Sequence, residues 1–441
     1  MLRLLFTLIL ACVLPCAARA SLTRDEAAAE IAKQMRSLRD KPARDGFAAE
    51  LPVEIGALMA EVKETGSPLA ISTRSLPLGD HLMPYAAIRK GAGREGSRAL
   101  FLCLHGGGQK ADADGPHAWN VNDSEFRTQI TLAMQVYQPD GIYFIPRMAD
   151  DRLGRWWHKH NQQAFDALID HAILHWGVDP ERVYLLGISE GGYGTDILAC
   201  WMPDRFAGAN AMAAGVGLGT PPANLRNLAF RTDVGENDTM FDRRPMAVAF
   251  HAELDRLHAL DPAGYTHDLN VQPGRGHGID YSKGVVWIAE HPRDPWPEKI
   301  VWINQALDGE RRGRMHWIAT PELPEKGDYR IVAKAEKATN TITIEAGKLA
   351  AGNTDGNRTH GKDNVAESAL ESIAGLRIDL LLSDKLFDLD RPVTVICNGE
   401  TVHEGHVSRS KEVIAKALAA RPDPSSCPTA VLTVETPAET E

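Results

Sequence analysis

Between residues 67 and 311, apolar runs of strand length alternate with longer amphipathic stretches. Strands are predicted at 83–90 (MPYAAIRK), 98–105 (RALFLCLH), 141–147 (GIYFIPR), 182–188 (RVYLLGI), 207–213 (AGANAMA), 227–233 (NLAFRTD) and 265–271 (YTHDLNV). The stretches NQQAFDALIDHAILHWG and RRPMAVAFHAELDRLHAL repeat their apolar positions at helical spacing. Near-continuous apolar strands separated by helices imply a mostly parallel sheet covered on both faces. Upstream, residues 21–66 read as a helical segment, opened by the capping box Thr23-Arg24-Asp25-Glu26. Downstream, residues 312–436 change to strand-rich patterning. There Asn398-Gly399, set between alternating segments, is a two-residue hairpin signal. That stretch predicts a small β-rich C-terminal domain. Inside it, GNTDGNRTHGKDN reads as a mobile loop, and residues 437–441 read as a disordered tail.

The first twenty residues stand apart. MLRLLFTLILACVLPCAARA has a basic start at Arg3, an apolar stretch from Leu4 to Cys16, and a small-x-small ending at Ala18-Arg19-Ala20. That is the layout of a secretory signal peptide cleaved after Ala20, and the apolar stretch is too short for a membrane span. A secreted or periplasmic protein is expected. Cys12 and Cys16 offer a lipid-anchored alternative, against which Pro15 and the early position of Cys12 both speak. Loss of Arg3 and Arg19 takes the formal charge from −11 to −13. An acidic chain without basic runs is a poor ligand for nucleic acid or anionic membrane. The remaining cysteines, Cys103, Cys200, Cys397 and Cys427, are too few for a disulfide scaffold. Cys103 reads as a buried thiol, and a Cys397–Cys427 pairing stays open.

Chemistry concentrates in four short stretches. GISEGG places Ser189 between glycines where a buried strand passes into a helix. A serine on such a turn is lifted out of the sheet, and the helix N-terminus aims amide donors at it. Packing alone would favour an aliphatic residue there. LHGGGQ (104–109) leaves an earlier strand as a glycine-rich turn able to direct backbone N–H groups at a developing oxyanion. His105 in that turn reads as a brace for the loop. A serine nucleophile needs a base, and the base needs an orienting acid. QPGRGHGID presents His277 in a loop after the last predicted sheet strand. RTDVGENDTMF offers Asp238 as the acid, with Asp233 and Glu236 as competitors. Asp238 is preferred because its loop carries it beyond the sheet edge towards His277. The chain order serine, acid, histidine is that of α/β hydrolases.

LHGGGQ, GISEGGYG, VGENDTMF and GRGHG together resemble the α/β-hydrolase superfamily. The likeness is strongest to secreted esterases of the feruloyl-esterase, polyhydroxybutyrate-depolymerase and dienelactone-hydrolase-like groups, with prolyl-oligopeptidase-like hydrolases as relatives. It covers roughly residues 68–310. It implies an α/β-hydrolase fold with a mostly parallel central sheet, Ser189 as nucleophile, Asp238 as acid and His277 as base. It also implies an oxyanion hole from backbone amides near Gly107 and at Glu190. Glutamate at 190 departs from the depolymerases, where a small residue is common, and puts polymer hydrolysis in doubt.

Other signals are weaker. GAGREG (91–96) matches a dinucleotide-binding pattern but is followed by a strand, so a plain turn is expected. Trp156 and Trp157, in a loop at the ligand end of the sheet, are candidate substrate-binding residues, with packing an equal reading. His158 and His160 lack companions at metal spacing, so no metal site is expected, and HEGH (403–406) reads as surface decoration. The expectation is a serine hydrolase acting on carboxylic esters, small or polysaccharide-linked, with no cofactor. The alternatives are a serine peptidase of prolyl-oligopeptidase type and a non-catalytic carbohydrate-binding protein on a hydrolase scaffold.

Overall fold

A computed structural model describes residues 21–57, 74–322, 327–349 and 370–438. The predicted signal peptide, the loop at 352–364, the end of the helical segment at 58–66 and the last three tail residues lie outside the described residues.

The central sheet is built from β1 (Val53–Glu54), β2 (Arg74–Leu78), β3 (His81–Lys90), β4 (Arg98–Leu104), β5 (Gly141–Pro146), β6 (Val178–Ile188), β7 (Gly208–Met212), β8 (Ala229–Gly235) and β9 (His267–Gln272). Its order is β1-β3-β5-β4-β6-β7-β8-β9, and β2 pairs with β3. From β5 through β9 every pairing is parallel, while β3 runs antiparallel to both β2 and β5. Each strand predicted from the apolar runs is present, with ends shifted by a few residues. GAGREG is the turn between β3 and β4, so it opens no helix.

Two-sided burial explains why these strands read as continuous apolar runs. Along β4, Leu100, Leu102 and Leu104 enter one core, while Ala99, Phe101 and Cys103 enter the other. The first core is closed by helices Lys159–His175 and Arg243–Leu260, through Phe165, Leu168, Phe250 and Leu254. The second is closed by helices Asn120–Gln135 and Ser282–Ala289, through Phe126, Ile130, Val285 and Ile288. This two-layered cover on a largely parallel sheet, with a strand-turn-helix at β6, is the α/β-hydrolase fold.

The C-terminal region is strand-rich as expected, and the hairpin turns at Asn398 and Gly399, both at positive φ (48° and 87°). Its limits differ from the expectation. Strand Lys299–Asn304 pairs antiparallel with Tyr329–Glu336, so the β-rich unit begins before residue 312. The reason is burial: Ile300 and Trp302 belong to the C-terminal core and not to either face of the central sheet. Residues Lys411–Ala420 form a helix, capped by the Ser410 hydroxyl, and its Ile414 and Leu418 reach the first core. The expected capping box is formed: Thr23 Oγ1 accepts from the Glu26 amide at 3.2 Å, and the Thr23 amide donates to Glu26 at 2.8 Å. The helix it opens ends at Arg39, short of the 21–66 span. Cys397 and Cys427 are both buried free thiols, each pushed up by burial, to about 11 and about 12.

Candidate active site

Strand β6 ends at Ile188 and a helix begins at Glu190, which leaves Ser189 alone to make the turn. Its backbone sits at φ 54° and ψ −114°, sparsely populated for a residue with a side chain. The Ser189 amide donates to the Met212 carbonyl on β7 at 2.9 Å, which pins the turn to the sheet. The flanking glycine is needed because backbone approaches closely: a Cβ on Gly191 would meet the Leu104 carbonyl oxygen at 2.2 Å. Strain of this kind is held only where the surroundings over-determine it.

The structure brings Ser189, His277 and Asp238 together. His277 Nε2 lies 3.1 Å from Ser189 Oγ, and His277 Nδ1 lies 2.8 Å from Asp238 Oδ2. With its proton on Nδ1, the imidazole donates to the carboxylate and leaves Nε2 to accept from the serine. Asp238 is buried and its second oxygen accepts from Arg243 Nη1 at 3.0 Å, while His277 stands at the surface. The competing acids lie elsewhere. Asp233 is buried inside β8, held by both Arg231 Nε and Nη2 at 2.9 Å and by Asn210 and Asn270. Glu236 caps the turn at Gly274, accepting its amide at 2.7 Å.

The glycine-rich turn after β4 arches over the elbow. Gly107 has φ +93°, and a Cβ there would meet Asn122 Oδ1 at 2.2 Å. Asn122 clamps the turn from both sides: Oδ1 accepts from the Gly108 amide at 2.9 Å, and Nδ2 donates to the Gly108 carbonyl at 3.0 Å. The same Nδ2 donates to Asp151 at 2.6 Å, and Asp151 is itself paired with the buried Arg147 at 2.5 Å. The Gly108 amide is therefore occupied. His105 is fully buried, accepts from the Met148 amide at 3.0 Å and faces the Gly106 carbonyl at 2.5 Å. Burial pushes it down to about 3, so it is a neutral brace.

Glu190 is buried beneath the turn. Its Oε2 accepts from Arg155 Nη1 at 2.6 Å, while its Oε1 is buried without a partner. Burial raises it to about 7 against the lowering effect of Arg155. The two tryptophans separate. Trp156 is wholly buried, donates to the His105 carbonyl at 3.1 Å and packs against Gly194 of the elbow helix. The expectation that it lines a substrate pocket is corrected: two layers of packing claim its ring. Trp157 is half-buried and lies beneath the Arg155 guanidinium, 5.6 Å from its carbon to the ring centroid. His158 pairs with Asp308 at 3.1 Å and stacks near His160. Among the described residues no group of His, Cys, Asp or Glu is placed to hold a metal ion, and no helix is long and apolar enough to cross a membrane.

Three residues at the site went unread in the sequence. Asn122 and Glu125 lie on helix Asn120–Gln135, which the apolar pattern did not predict. Glu125 is half-buried against Gly106 and within electrostatic reach of His277, and burial raises it. In the sequence Arg243 marks only the start of a predicted helix.

No family model matches the chain. A 169-residue stretch is 29% identical to "Putative esterase NocK" of Nocardia uniformis subsp. tsuyamanensis, covering 38% of this chain and 46% of that protein. A 56-residue stretch is 41% identical to an acetylxylan esterase of Coprinopsis cinerea, covering 13% of this chain and 15% of that protein. The chain thus matches less than half the length of either relative. Among solved structures, a thermostable esterase is similar over 50% of this chain and 63% of its own, at 17% identity and a TM-score of 0.39. The poly(3-hydroxybutyrate) depolymerase LpqC of Bordetella parapertussis is similar over 51% and 90%, at 15% identity and a TM-score of 0.37.

Proposed function

We propose that this protein is a serine hydrolase that cleaves carboxylic esters, exported to the periplasm or beyond. The observation that carries the reading is His277 bridging Ser189 and Asp238 at hydrogen-bond distance, with the serine raised on a strained strand-to-helix turn. Its similarity in sequence to two proteins named as esterases supports the same chemistry.

In this reading His277 Nε2 takes the Ser189 proton as Oγ attacks the ester carbonyl. Asp238 holds the resulting imidazolium by its Nδ1–H. The oxyanion is met by backbone amides of the Gly107 turn and of Glu190 at the helix N-terminus. The imidazolium then returns the proton to the leaving alkoxide, and the alcohol departs. Water, deprotonated by the same imidazole, splits the acyl-enzyme, and the acid leaves with Ser189 restored. No step calls on a cofactor. The substrate class is a small-molecule or polysaccharide-linked ester, met beside Trp157 at the rim. Labelling with a fluorophosphonate, followed by a panel of aryl, sugar and peptide substrates, tests the reading. Labelling at Ser189 with turnover of esters is expected. A chain that neither labels nor turns over any ester would be a binding protein on this scaffold, and turnover of peptides alone would make it a peptidase.

A further inference from the structure

The acid of the site has a second neighbour that the reaction as described does not use. Asp238 offers Oδ2 to His277 and Oδ1 to Arg243 Nη1, at 2.8 and 3.0 Å. Both partners of the Arg243–Asp238 pair are buried, with side chains 8% and 2% exposed. The pair is close in sequence, yet a regular helix would not bring it together. The chain reaches Arg243 through Phe241 and Asp242, two successive residues at φ 56° and 55°. Left-handed backbone is uncommon for a non-glycine residue, and a bulky aromatic there is an outlier. This double turn starts helix Arg243–Leu260 back over the loop, and the Arg244 amide donates to the Asp238 carbonyl at 3.1 Å. It also lays the Phe241 ring against the guanidinium, 5.1 Å from carbon to centroid, although the phenyl group itself is 70% exposed. An aromatic face so placed attracts the cation and shields it from water.

We propose that Arg243 is a positioning residue for the hydrolytic reaction, acting on the serine only through Asp238. The inference rests on the reading of Ser189, Asp238 and His277 as a catalytic set. A carboxylate with one oxygen on His277 and nothing on the other can rotate about its Cβ–Cγ bond. The arginine fixes Oδ1, so that Oδ2 stays in line with the imidazole N–H. It also supplies the counter-charge that a buried carboxylate requires. Phe241 holds the guanidinium in place, which gives the double left-handed turn its purpose. Charge-assisted pairs of this geometry are both strong and directional.

The test is steady-state kinetics on p-nitrophenyl butyrate with the full chain. Arg243→Gln is expected to lower kcat about 10- to 100-fold, the scale of a small misplacement near the chemistry. KM should stay within about twofold, since nothing here touches substrate directly. Arg243→Lys, which keeps the charge and one donor, should fall between the two and melts normally, so it answers the question if the glutamine variant folds poorly. The decisive arm is the double variant. If Arg243 works through Asp238, adding Arg243→Gln to Asp238→Asn costs no further activity. A full additional loss on the Asp238→Asn background, an effect confined to KM, or wild-type kcat in both arginine variants would overturn the proposal. Turnover surviving in Ser189→Ala would instead overturn the reading of the site and leave the arginine data to be explained by another nucleophile.

Discussion

His277 Nε2 stands 3.1 Å from Ser189 Oγ, although 88 residues of chain separate the two. The sheet makes this contact: β6 delivers the serine at its C-terminal end, and the loop after β9 brings the histidine back across β7 and β8. Ser189→Ala is therefore expected to abolish ester turnover and fluorophosphonate labelling, with the thermal melt unchanged. Removal of such a nucleophile costs on the order of a million-fold in kcat. Intact-mass measurement of the labelled mutant decides it: any adduct there moves the nucleophile elsewhere.

Two aspartates on one strand and loop separate cleanly by readout. Asp238→Asn should lose turnover by about 10,000-fold, because the amide cannot orient or stabilise the imidazolium, and it should also lose stability, because it breaks the buried pair with Arg243. Asp233→Asn should lose stability while turnover is far less affected. It breaks a buried pair in which Arg231 holds both oxygens, a class of change that costs about 3–5 kcal/mol of stability. Kinetics separates the two variants if the assignment is right: only Asp238→Asn loses turnover on that scale.

How far the site was legible follows from the range of the interactions. Ser189 could be read because a strand, a turn and a helix announce themselves locally, and Asp238 and His277 because they fall in loops after predicted strands. Asn122 and Arg243 leave no such mark. Asn122 matters because Gly108 lies beside it, 14 residues away in sequence, on a helix whose apolar face is narrow. Arg243 meets Asp238 only because Phe241 and Asp242 turn left-handed, which no residue type there advertises. Trp156 misled for a related reason: a tryptophan in a loop at the ligand end of a sheet is equally suited to a pocket or to a wedge. Gly194, whose missing side chain makes room for its ring, decides for the wedge.

The clamp on the glycine turn can be cut singly. Asn122→Ala removes the acceptor for the Gly108 amide and the donor to its carbonyl, while the Arg147–Asp151 pair remains. A turn free to move should hold the oxyanion less well, and kcat should fall about 10-fold or more with KM nearly unchanged, on the pattern of a lost oxyanion-hole donor. An effect on KM alone would place Asn122 in substrate binding.

Stability should depend on pH through Asp196. This carboxyl is fully buried in the elbow helix, accepts from the Gly217 amide at 2.8 Å, and is raised by burial to about 7 from an ordinary 3.8. Between those values the unfolded chain sheds this proton and the folded one keeps it. Its contribution is therefore complete below about pH 4 and is lost as pH rises to about 7. Glu190 acts in the same direction, from 4.5 to about 7. Melting temperatures of Asp196→Asn measured from pH 4 to pH 8 should fall less steeply than those of the wild type. Parallel curves would show that Asp196 titrates normally.

The C-terminal unit is tied to the hydrolase core by charge as well as by the apolar packing of Ile414, Leu418 and Cys427. Arg293 donates to Asp423 at 2.6 Å with both side chains buried, Arg421 meets Asp204 at 2.5 Å, and Arg312 meets Asp166 at 2.5 Å. Asn224 donates to the Ile303 carbonyl at 3.0 Å, which joins the first strand of the β-rich unit to the loop before β8. Truncation after residue 311 would leave strand Lys299–Asn304 without its partner Tyr329–Glu336 and expose Ile300 and Trp302. It would also take Asp423 from Arg293 and Arg421 from Asp204, uncovering two charged side chains that are buried in the intact chain. An unpaired edge with apolar side chains is an aggregation site. The truncated chain should therefore be insoluble or melt far below the intact protein, while the specificity of any soluble fraction for small esters stays the same, since Ser189, Asp238 and His277 all lie upstream. A truncated protein as soluble and stable as the intact one, altered only in polymer binding, would show that the region is a binding module. In that case the buried ion pairs would be incidental to the stability of the core.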